Sequence, residues 1–178
     1  MIIREAQPAD ARGIARVHVE SWRTSYAGLV PADFLAALSI EQREARWQAI
    51  LADPDAQQFN FVAEDPHGHI AGFASGGPER DDDLVYRGEL YAIYLLASQQ
   101  RQGVGRQLIQ ATAARLLKLG FSSMLVWVLA DNRPARSFYE AMGGQLLDKK
   151  KELTIAGARL AEVAYGWLDV RVPNARRF

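Results

Sequence analysis

A glycine-containing segment between an apolar stretch and a helical pattern has the composition of a phosphate-binding turn. It runs Gln-Arg-Gln-Gly-Val-Gly-Arg over residues 100–106. The first backbone N–H groups of a helix have no partner and carry partial positive charge, and glycine lets an anion come close to them. The residues expected to contact the anion are Arg101, Gln102, Gly103, Val104, Gly105 and Arg106.

Several kinds of turn place glycines at this spacing. A dinucleotide-binding fingerprint would need a third glycine at position 108, where the chain has Leu108, and a P-loop would need Gly-Lys-Ser/Thr, which is absent. For this segment alone, a tight strand-to-helix turn that uses glycine only for its backbone freedom remains an alternative.

The surrounding sequence resembles the GNAT acetyltransferases. The pattern Gln/Arg-x-x-Gly-x-Gly/Ala is similar to their pyrophosphate loop, and the preceding residues 89–95 are similar to their coenzyme-binding strand. Residues 132–143 match a second family pattern, Asn-x-x-Ala-x-x-Phe-Tyr-x-x-x-Gly. The two motifs follow each other in the expected order and spacing, and the chain is therefore identified as a member of the GNAT N-acetyltransferases.

This resemblance implies acetyl-CoA as cosubstrate and a position for it. The pantetheine arm would lie between two strands that part from one another and would pair with the backbone near Ile93 and Leu95. The pyrophosphate would rest on the glycine turn. Asn132 and Tyr139 would also contact the coenzyme, although Asn132 fits equally well as a plain helix N-cap.

Transfer to an amine needs a base, because a free alkylamine has a pKa of about 10 and arrives mostly protonated. We expect Glu89 to act as this base; the alternative is a strand carboxylate facing solvent or paired with an arginine. By its position in the family motif, Tyr139 would protonate the leaving thiolate, unless it is only a buried aromatic. The N–H of Ile93 would stabilise the oxyanion.

The acceptor amine is expected to lie against aromatic side chains. Trp22 and Tyr26 share a helix face, and Tyr91 lies on the coenzyme strand. Core packing of an amphipathic helix is the alternative for the first two. His18 lies on the same face, as a structural histidine or a second acid–base group. The three aspartates of residues 81–83 either attract a cationic substrate or form a solvated loop.

The elements around these residues predict the fold class. The order is strand, helices, three strands, helix, strand, helix and two strands. This order predicts an α+β fold, with a mixed, mostly antiparallel, splayed central sheet of about seven strands flanked by helices. We expect helices near residues 8–26, 32–51 (in two pieces around Ser39), 104–119 and 133–142, a long strand over 84–96, and a final hairpin that turns at Ala156–Gly157. One domain is expected to cover residues 1–178.

Composition narrows the partners and the chemistry. Lys plus Arg and Asp plus Glu are both 21, so no net charge favours nucleic acid or an anionic membrane. There is no cysteine, which excludes a thiolate zinc site and an acetyl-cysteine intermediate. His67 and His69 have no evident third ligand, so no metal is expected. With no signal peptide or long apolar stretch, a cytoplasmic location is expected.

The sequence thus predicts an N-acetyltransferase that acts on a primary amine of a small molecule or peptide, by direct attack in a ternary complex. The alternative is a GNAT-fold module that binds acyl-CoA without turnover. A homodimer is a possible assembly.

Overall fold

The computed structural model describes residues 1–53 and 57–171. Its strands are β1 (Ile2–Glu5), β2 (Phe59–Glu64), β3 (Ile70–Pro78), β4 (Gly88–Leu95), β5 (Met124–Leu129), β6 (Gln145–Ile155) and β7 (Ala158–Trp167). Its α-helices are α1 (Ala11–Ser25), α2 (Ala32–Ala36), α3 (Ile40–Ala52), α4 (Val104–Lys118) and α5 (Arg133–Ala141).

The strands form one sheet in the order β1-β2-β3-β4-β5-β7-β6. Every neighbouring pair is antiparallel except β4 and β5, which are parallel and connected through α4. The parallel pair is short: Gly88 faces Met124 and Glu89 faces Leu125, and no later residues of the two strands are paired. The predicted mixed, mostly antiparallel and splayed sheet is confirmed, and a gap opens between β4 and β5 after Glu89.

An extra residue in β4 lies at the start of this gap. Gly76 of β3 faces Leu90 and Ser75 faces Ala92, so Tyr91 has no facing residue. Such a bulge bends the strand and reverses the face to which the following side chains point. After the bulge, Ile93 packs toward the core that includes α4, whereas Tyr94 packs toward the core that includes α1.

Hydrophobic cores cover both faces of the sheet. One face packs against α4 and α5, with fully buried Leu108, Ile109 and Leu116. The other packs against α1 and α3, with Ile14 and Phe73 fully buried. A smaller cluster joins α2 and the end of α1 to the β6–β7 hairpin.

The strand expected over 84–96 begins only at Gly88. Residues 79–87 form a loop instead, because the Asp83 carboxylate accepts the N–H groups of Val85 and Tyr86 at 2.8 and 2.9 Å and turns the chain. Asp83 also pairs with Lys149 at 2.6 Å, and Asp81 pairs with Lys151. These two aspartates therefore fasten the loop to β6, and their charges are neutralised by lysine.

Candidate active site

The predicted anion-binding turn leads into α4 with free amides. Gly103 is the N-cap, with a φ of 80°, and its carbonyl accepts the first helical hydrogen bond, from Gln107 at 3.1 Å. Arg101 has a φ of 60°, a left-handed conformation that is unfavourable for a residue with a Cβ and is typical of ligand-binding sites. Within the described ranges, no protein atom accepts a hydrogen bond from the amides of residues 102–106.

The side chains around this turn have different roles. The guanidinium groups of Arg101 and Arg106 form no ion pair with any described residue. The Gln102 amide donates to the carbonyl of Ser98 at 2.8 Å and so holds the turn in shape. A Cβ on Gly105 would come within 3.2 Å of Leu95 and Phe138. The small size of Gly105 therefore lets α4 pack closely, rather than clearing space for an anion.

The edge of β4 that borders the gap carries the two residues expected to pair with pantetheine. The Leu96 N–H donates to the Ala71 carbonyl at 3.0 Å. Hydrogen-bonded and non-hydrogen-bonded positions alternate along an antiparallel strand, so the bond at Leu96 makes Leu95 and Ile93 non-hydrogen-bonded positions toward β3. Their N–H and C=O groups therefore point to the edge of β4 that faces away from β3. The Leu95 carbonyl accepts a hydrogen bond from the Ser21 hydroxyl at 3.0 Å. The backbone groups of Ile93 face the gap.

Helix α5 positions Tyr139. Asn132 caps this helix, as predicted, through its side-chain oxygen and the N–H of Ala135 at 3.3 Å. Tyr139 is 6% exposed and packs against the rings of Tyr165 and Trp167. Its hydroxyl forms no hydrogen bond with any described residue. Burial, with a smaller effect of Tyr94, raises the pKa of Tyr139, so the phenol keeps its proton at neutral pH.

Glu89 is buried at the last position of β4 that pairs with β5, and its carboxylate is held by Arg80. The guanidinium of Arg80 donates to the two carboxylate oxygens at 2.5 and 3.0 Å, and its backbone N–H donates at 3.2 Å. This is the arginine-paired arrangement that the sequence left open. Tyr91 belongs to the same cluster: its hydroxyl donates to the Pro78 carbonyl at 2.6 Å and Arg80 lies over its ring. Burial, together with the charge of Glu89, raises the pKa of Tyr91 to about 12.

The predicted acceptor residues Trp22, in α1, and Tyr26, just after α1, lie near Tyr94 of β4. The Tyr26 and Tyr94 hydroxyls are 3.0 Å apart, and the rings of Trp22 and Tyr26 have centroids 4.9 Å apart. Trp22 Nε1 is buried and forms no hydrogen bond with any residue that the structure describes, although the indole lies near the Tyr94 phenol. Burial raises the pKa of Tyr26 and of Tyr94.

His18 stacks on Tyr94, with ring centroids 5.3 Å apart, and its Nδ1 accepts a hydrogen bond from Trp47 Nε1 at 3.4 Å. Burial, reinforced by the positive charges of Arg43 and Arg46, lowers the pKa of His18 to about 3. A neutral imidazole that accepts from an indole within an aromatic cluster supports the structural role.

Glu162 of β7 is a further carboxylate of this region that was not predicted from the sequence. It faces Leu129 at the end of β5, and it forms neither an ion pair nor a hydrogen bond with any described residue. Burial raises its pKa, Lys151, which faces it on β6, lowers it, and the charge of Glu89 raises it further. The charge of Glu162 also raises the pKa of the Tyr26 and Tyr94 phenols. Its only sequence signal was that it is the single acidic residue of β7.

The two tyrosines nearest the gap come from opposite faces of the sheet. Tyr139 belongs to the core that contains α4, and Tyr94 to the core that contains α1. Their phenols nevertheless influence each other electrostatically. The two phenols therefore lie close enough to interact, although their side chains belong to the cores on different faces of the sheet.

Comparison with known proteins identifies this arrangement. Residues 18–144 match the model of the acetyltransferase (GNAT) family. The chain belongs to the GNAT family of acetyltransferases. This GNAT chain is 45% identical over 168 residues to the Bacillus subtilis (strain 168) protein described as uncharacterized N-acetyltransferase YuaI, covering 94% of this chain and 93% of that protein. It is therefore an acyltransferase.

Solved structures support the same fold. PaiA N-acetyltransferase from Thermoplasma acidophilum, in complex with coenzyme A, is 19% identical with a TM-score of 0.69, covering 90% of this chain and 96% of the other. The structure of yncA from Salmonella typhimurium with acetyl-CoA is 20% identical with a TM-score of 0.69, covering 95% and 94%. The GNAT fold of those proteins therefore holds the coenzyme that the sequence motifs of this chain imply.

Two features are absent from the described part of the chain. No helix there has the length and apolar character to cross a membrane. No group of three or more His, Asp or Glu side chains is arranged to hold a metal ion within residues 1–53 and 57–171.

Proposed function

We propose that this chain transfers the acetyl group of acetyl-CoA to a primary amine by direct attack within a ternary complex. The observation that carries the proposal is the set of unpaired amides at residues 102–106, at the start of a helix that follows the strand bordering the gap. A diphosphate bound there would direct the pantetheine arm along the free edge of Ile93, and the thioester would lie between Tyr139 and the acceptor residues.

The reaction forms one bond and breaks one. The neutral amine nitrogen attacks the thioester carbon, and the resulting tetrahedral intermediate collapses by breaking the C–S bond. The amine loses one proton to a base, and the coenzyme thiolate leaves and gains one. The N–H of Ile93 faces the gap and would donate to the developing oxyanion.

Two carboxylates are available as the base, and the geometry favours Glu162. Glu89, the residue predicted from the sequence, already accepts three hydrogen bonds from Arg80. Glu162 has no such partner among the described residues, and its raised pKa makes it a stronger proton acceptor than an ordinary carboxylate. We assign Glu162 as the base, acting directly or through water, and Glu89 to fixing Arg80 and Tyr91.

Tyr139 is assigned as the acid that protonates the leaving thiolate. Its phenol is protonated at neutral pH because burial raises its pKa, and its hydroxyl is free to donate because no described residue engages it. Trp22, Tyr26 and Tyr91 would surround the acceptor. Arg101 and Arg106 would add charged donors to the pyrophosphate, and Asn132 would hold the start of α5 beside the coenzyme.

The test is release of free coenzyme thiol from acetyl-CoA in the presence of an amine panel, with initial rates measured while both substrates are varied. Direct attack predicts intersecting reciprocal plots, whereas a covalent acetyl-enzyme predicts parallel ones. Coenzyme binding without thiol release across the panel would instead support the acyl-CoA-binding module.

A further inference from the structure

Two arginines without counterions line a cleft of about 310 Å³ between α2 and α3. Arg43 and Arg46 lie three residues apart on α3, so their side chains lie on the same side of the helix. Within residues 1–53 and 57–171, neither guanidinium forms an ion pair or a hydrogen bond. Phe34 and Gln42 also line the cleft, which thus combines an aromatic wall, an amide and two positive charges.

The environment of Arg43 is unfavourable for the free protein. Burial, reinforced by the charge of Arg46, lowers the pKa of the half-buried Arg43 guanidinium, and no carboxylate opposes this effect. Some other arginines have partners: Arg4 pairs with Asp10, and Arg23 donates to the carbonyls of Leu35, Ala36 and Leu38 at and after the end of α2. A half-buried cation without a counterion and beside a second positive charge is costly, and a bound anion would lower that cost.

Aromatic side chains connect the cleft to the proposed reaction site. The Arg43 guanidinium lies over Trp22, 5.6 Å from the ring centroid. Trp22 also packs against Tyr26, whose hydroxyl meets that of Tyr94. Arg43 is also close enough to Tyr94 for its charge to act on that phenol. A ligand held by Arg43 would therefore lie next to the aromatic residues expected to contact the acceptor.

We propose that the acceptor of this enzyme is a small amine that also carries an anionic group, a carboxylate or a phosphate, which Arg43 and Arg46 bind. The planar forks of the two guanidinium groups suit the two or three oxygens of such a group. The amine lies across Trp22 and meets the thioester in the gap. This inference rests on the proposed acetyl transfer, whose acceptor class it specifies.

The test compares amines that differ only in the anionic group. Initial rates with acetyl-CoA are measured for ω-amino carboxylates, for ω-amino phosphates and for alkylamines of equal chain length. We expect kcat/KM to be at least about 10-fold higher for one of the anionic series, mostly through KM, and this advantage to shrink as ionic strength rises. The two anionic series distinguish a carboxylate from a phosphate acceptor.

Substitutions locate the effect. The double variant Arg43→Gln/Arg46→Gln should lose the advantage of the anionic amines and keep the rate with alkylamines. Arg46→Gln alone changes an exposed side chain and should lose part of it, which keeps the test available if the double variant folds poorly. Arg12→Gln is the matched control, because Arg12 is exposed and pairs with Glu44 of the same helix α3; it should retain the full preference.

The outcomes separate this inference from the proposed function. Transfer to charged and neutral amines at equal efficiency, or a preference retained by the double variant, overturns the anion site and leaves acetyl transfer intact. If no amine is acetylated, acetyl transfer fails. The site is then judged by calorimetric binding of the ω-amino carboxylates and phosphates to the coenzyme A complex: binding that Arg46→Gln weakens supports it, and binding absent or unchanged overturns it.

Discussion

Arg80 and Glu89 form a bidentate ion pair at the last position where β4 and β5 are hydrogen-bonded to each other. Two hydrogen bonds come from the guanidinium and one from the backbone of Arg80, and the Glu89 side chain is only 2% exposed. The pair anchors the loop of residues 79–87 to the sheet. A carboxylate held in this way serves structure better than proton transfer, whereas Glu162 has no hydrogen bond or ion pair with any described residue.

Exchange of the two carboxylates for amides tests the assignment of the base. Glu162→Gln should lower kcat roughly 10²-fold and remove the acidic limb of the pH–rate profile, because proton removal from the amine is lost. Glu89→Gln should instead lower the free energy of unfolding by about 1–3 kcal/mol, since an amide leaves Arg80 incompletely paired. Steady-state rates and urea unfolding measure the two effects. The opposite pattern, with kcat lost only in Glu89→Gln, would return the base role to Glu89.

Tyr139→Phe tests the acid. We expect kcat to fall about 10- to 100-fold while coenzyme binding and stability stay nearly unchanged, because the hydroxyl has no hydrogen bond to lose among the described residues. Tyr165→Phe is the matched control. Its ring lies 6.1 Å away, and its hydroxyl donates to Glu140 and accepts from Arg136. That variant should lose about 1 kcal/mol of stability and keep kcat.

Two glycines with the same left-handed backbone conformation allow an effect on coenzyme binding to be distinguished from an effect on folding. Gly103 and Gly120 have φ values of 80° and 88°, and a Cβ at either would meet no atom within 4 Å. Gly103→Ala and Gly120→Ala should each cost about 1 kcal/mol, because alanine is unfavourable in this conformation. Only Gly103→Ala should also reduce the increase in Tm that coenzyme A produces. An equal increase in Tm in both variants would place the diphosphate elsewhere.

His18 should make stability depend on pH. Its folded pKa of about 3 lies below the ordinary value near 6.5, so below pH 6.5 the unfolded chain binds a proton that the folded chain does not. The contribution of His18 to the free energy of unfolding is therefore complete above pH 6.5. It falls as pH decreases below that value, by up to about 1.4 kcal/mol per pH unit. In urea unfolding at several pH values, His18→Gln should flatten this dependence. His67→Gln, at an exposed hairpin turn, should not; an unchanged slope in His18→Gln would contradict the assignment.

The fold followed largely from local sequence patterns. The Ser39 hydroxyl accepts a hydrogen bond from the Gln42 N–H and starts α3 at the expected break between the two helices. The Ala156–Gly157 turn closes the last hairpin, and both of its residues have a positive φ. Such signals are carried by a few adjacent residues, and a sequence displays them directly.

The acceptor side could not be derived in the same way. The partner of Glu89 is Arg80, in a loop whose apolar residues Leu84 and Val85 imitate a strand but are 86% and 57% exposed. Glu162 approaches Tyr26 only because β7 lies beside β5. These relations depend on strand order and on loop packing, which bring together residues far apart in the chain, and no spacing along the sequence encodes them.

The unmatched Tyr91 determines which residues of β4 reach each face of the sheet. If the same residues paired with β3 in a regular ladder, Tyr94 would face Gly72 instead of Phe73, and every side chain after Tyr91 would exchange one face of the sheet for the other. The hydroxyl of Tyr94 would leave Tyr26, and the free edge at Ile93 would turn toward β3. Related chains should therefore keep this irregular pairing while varying freely in the length of the 79–87 loop.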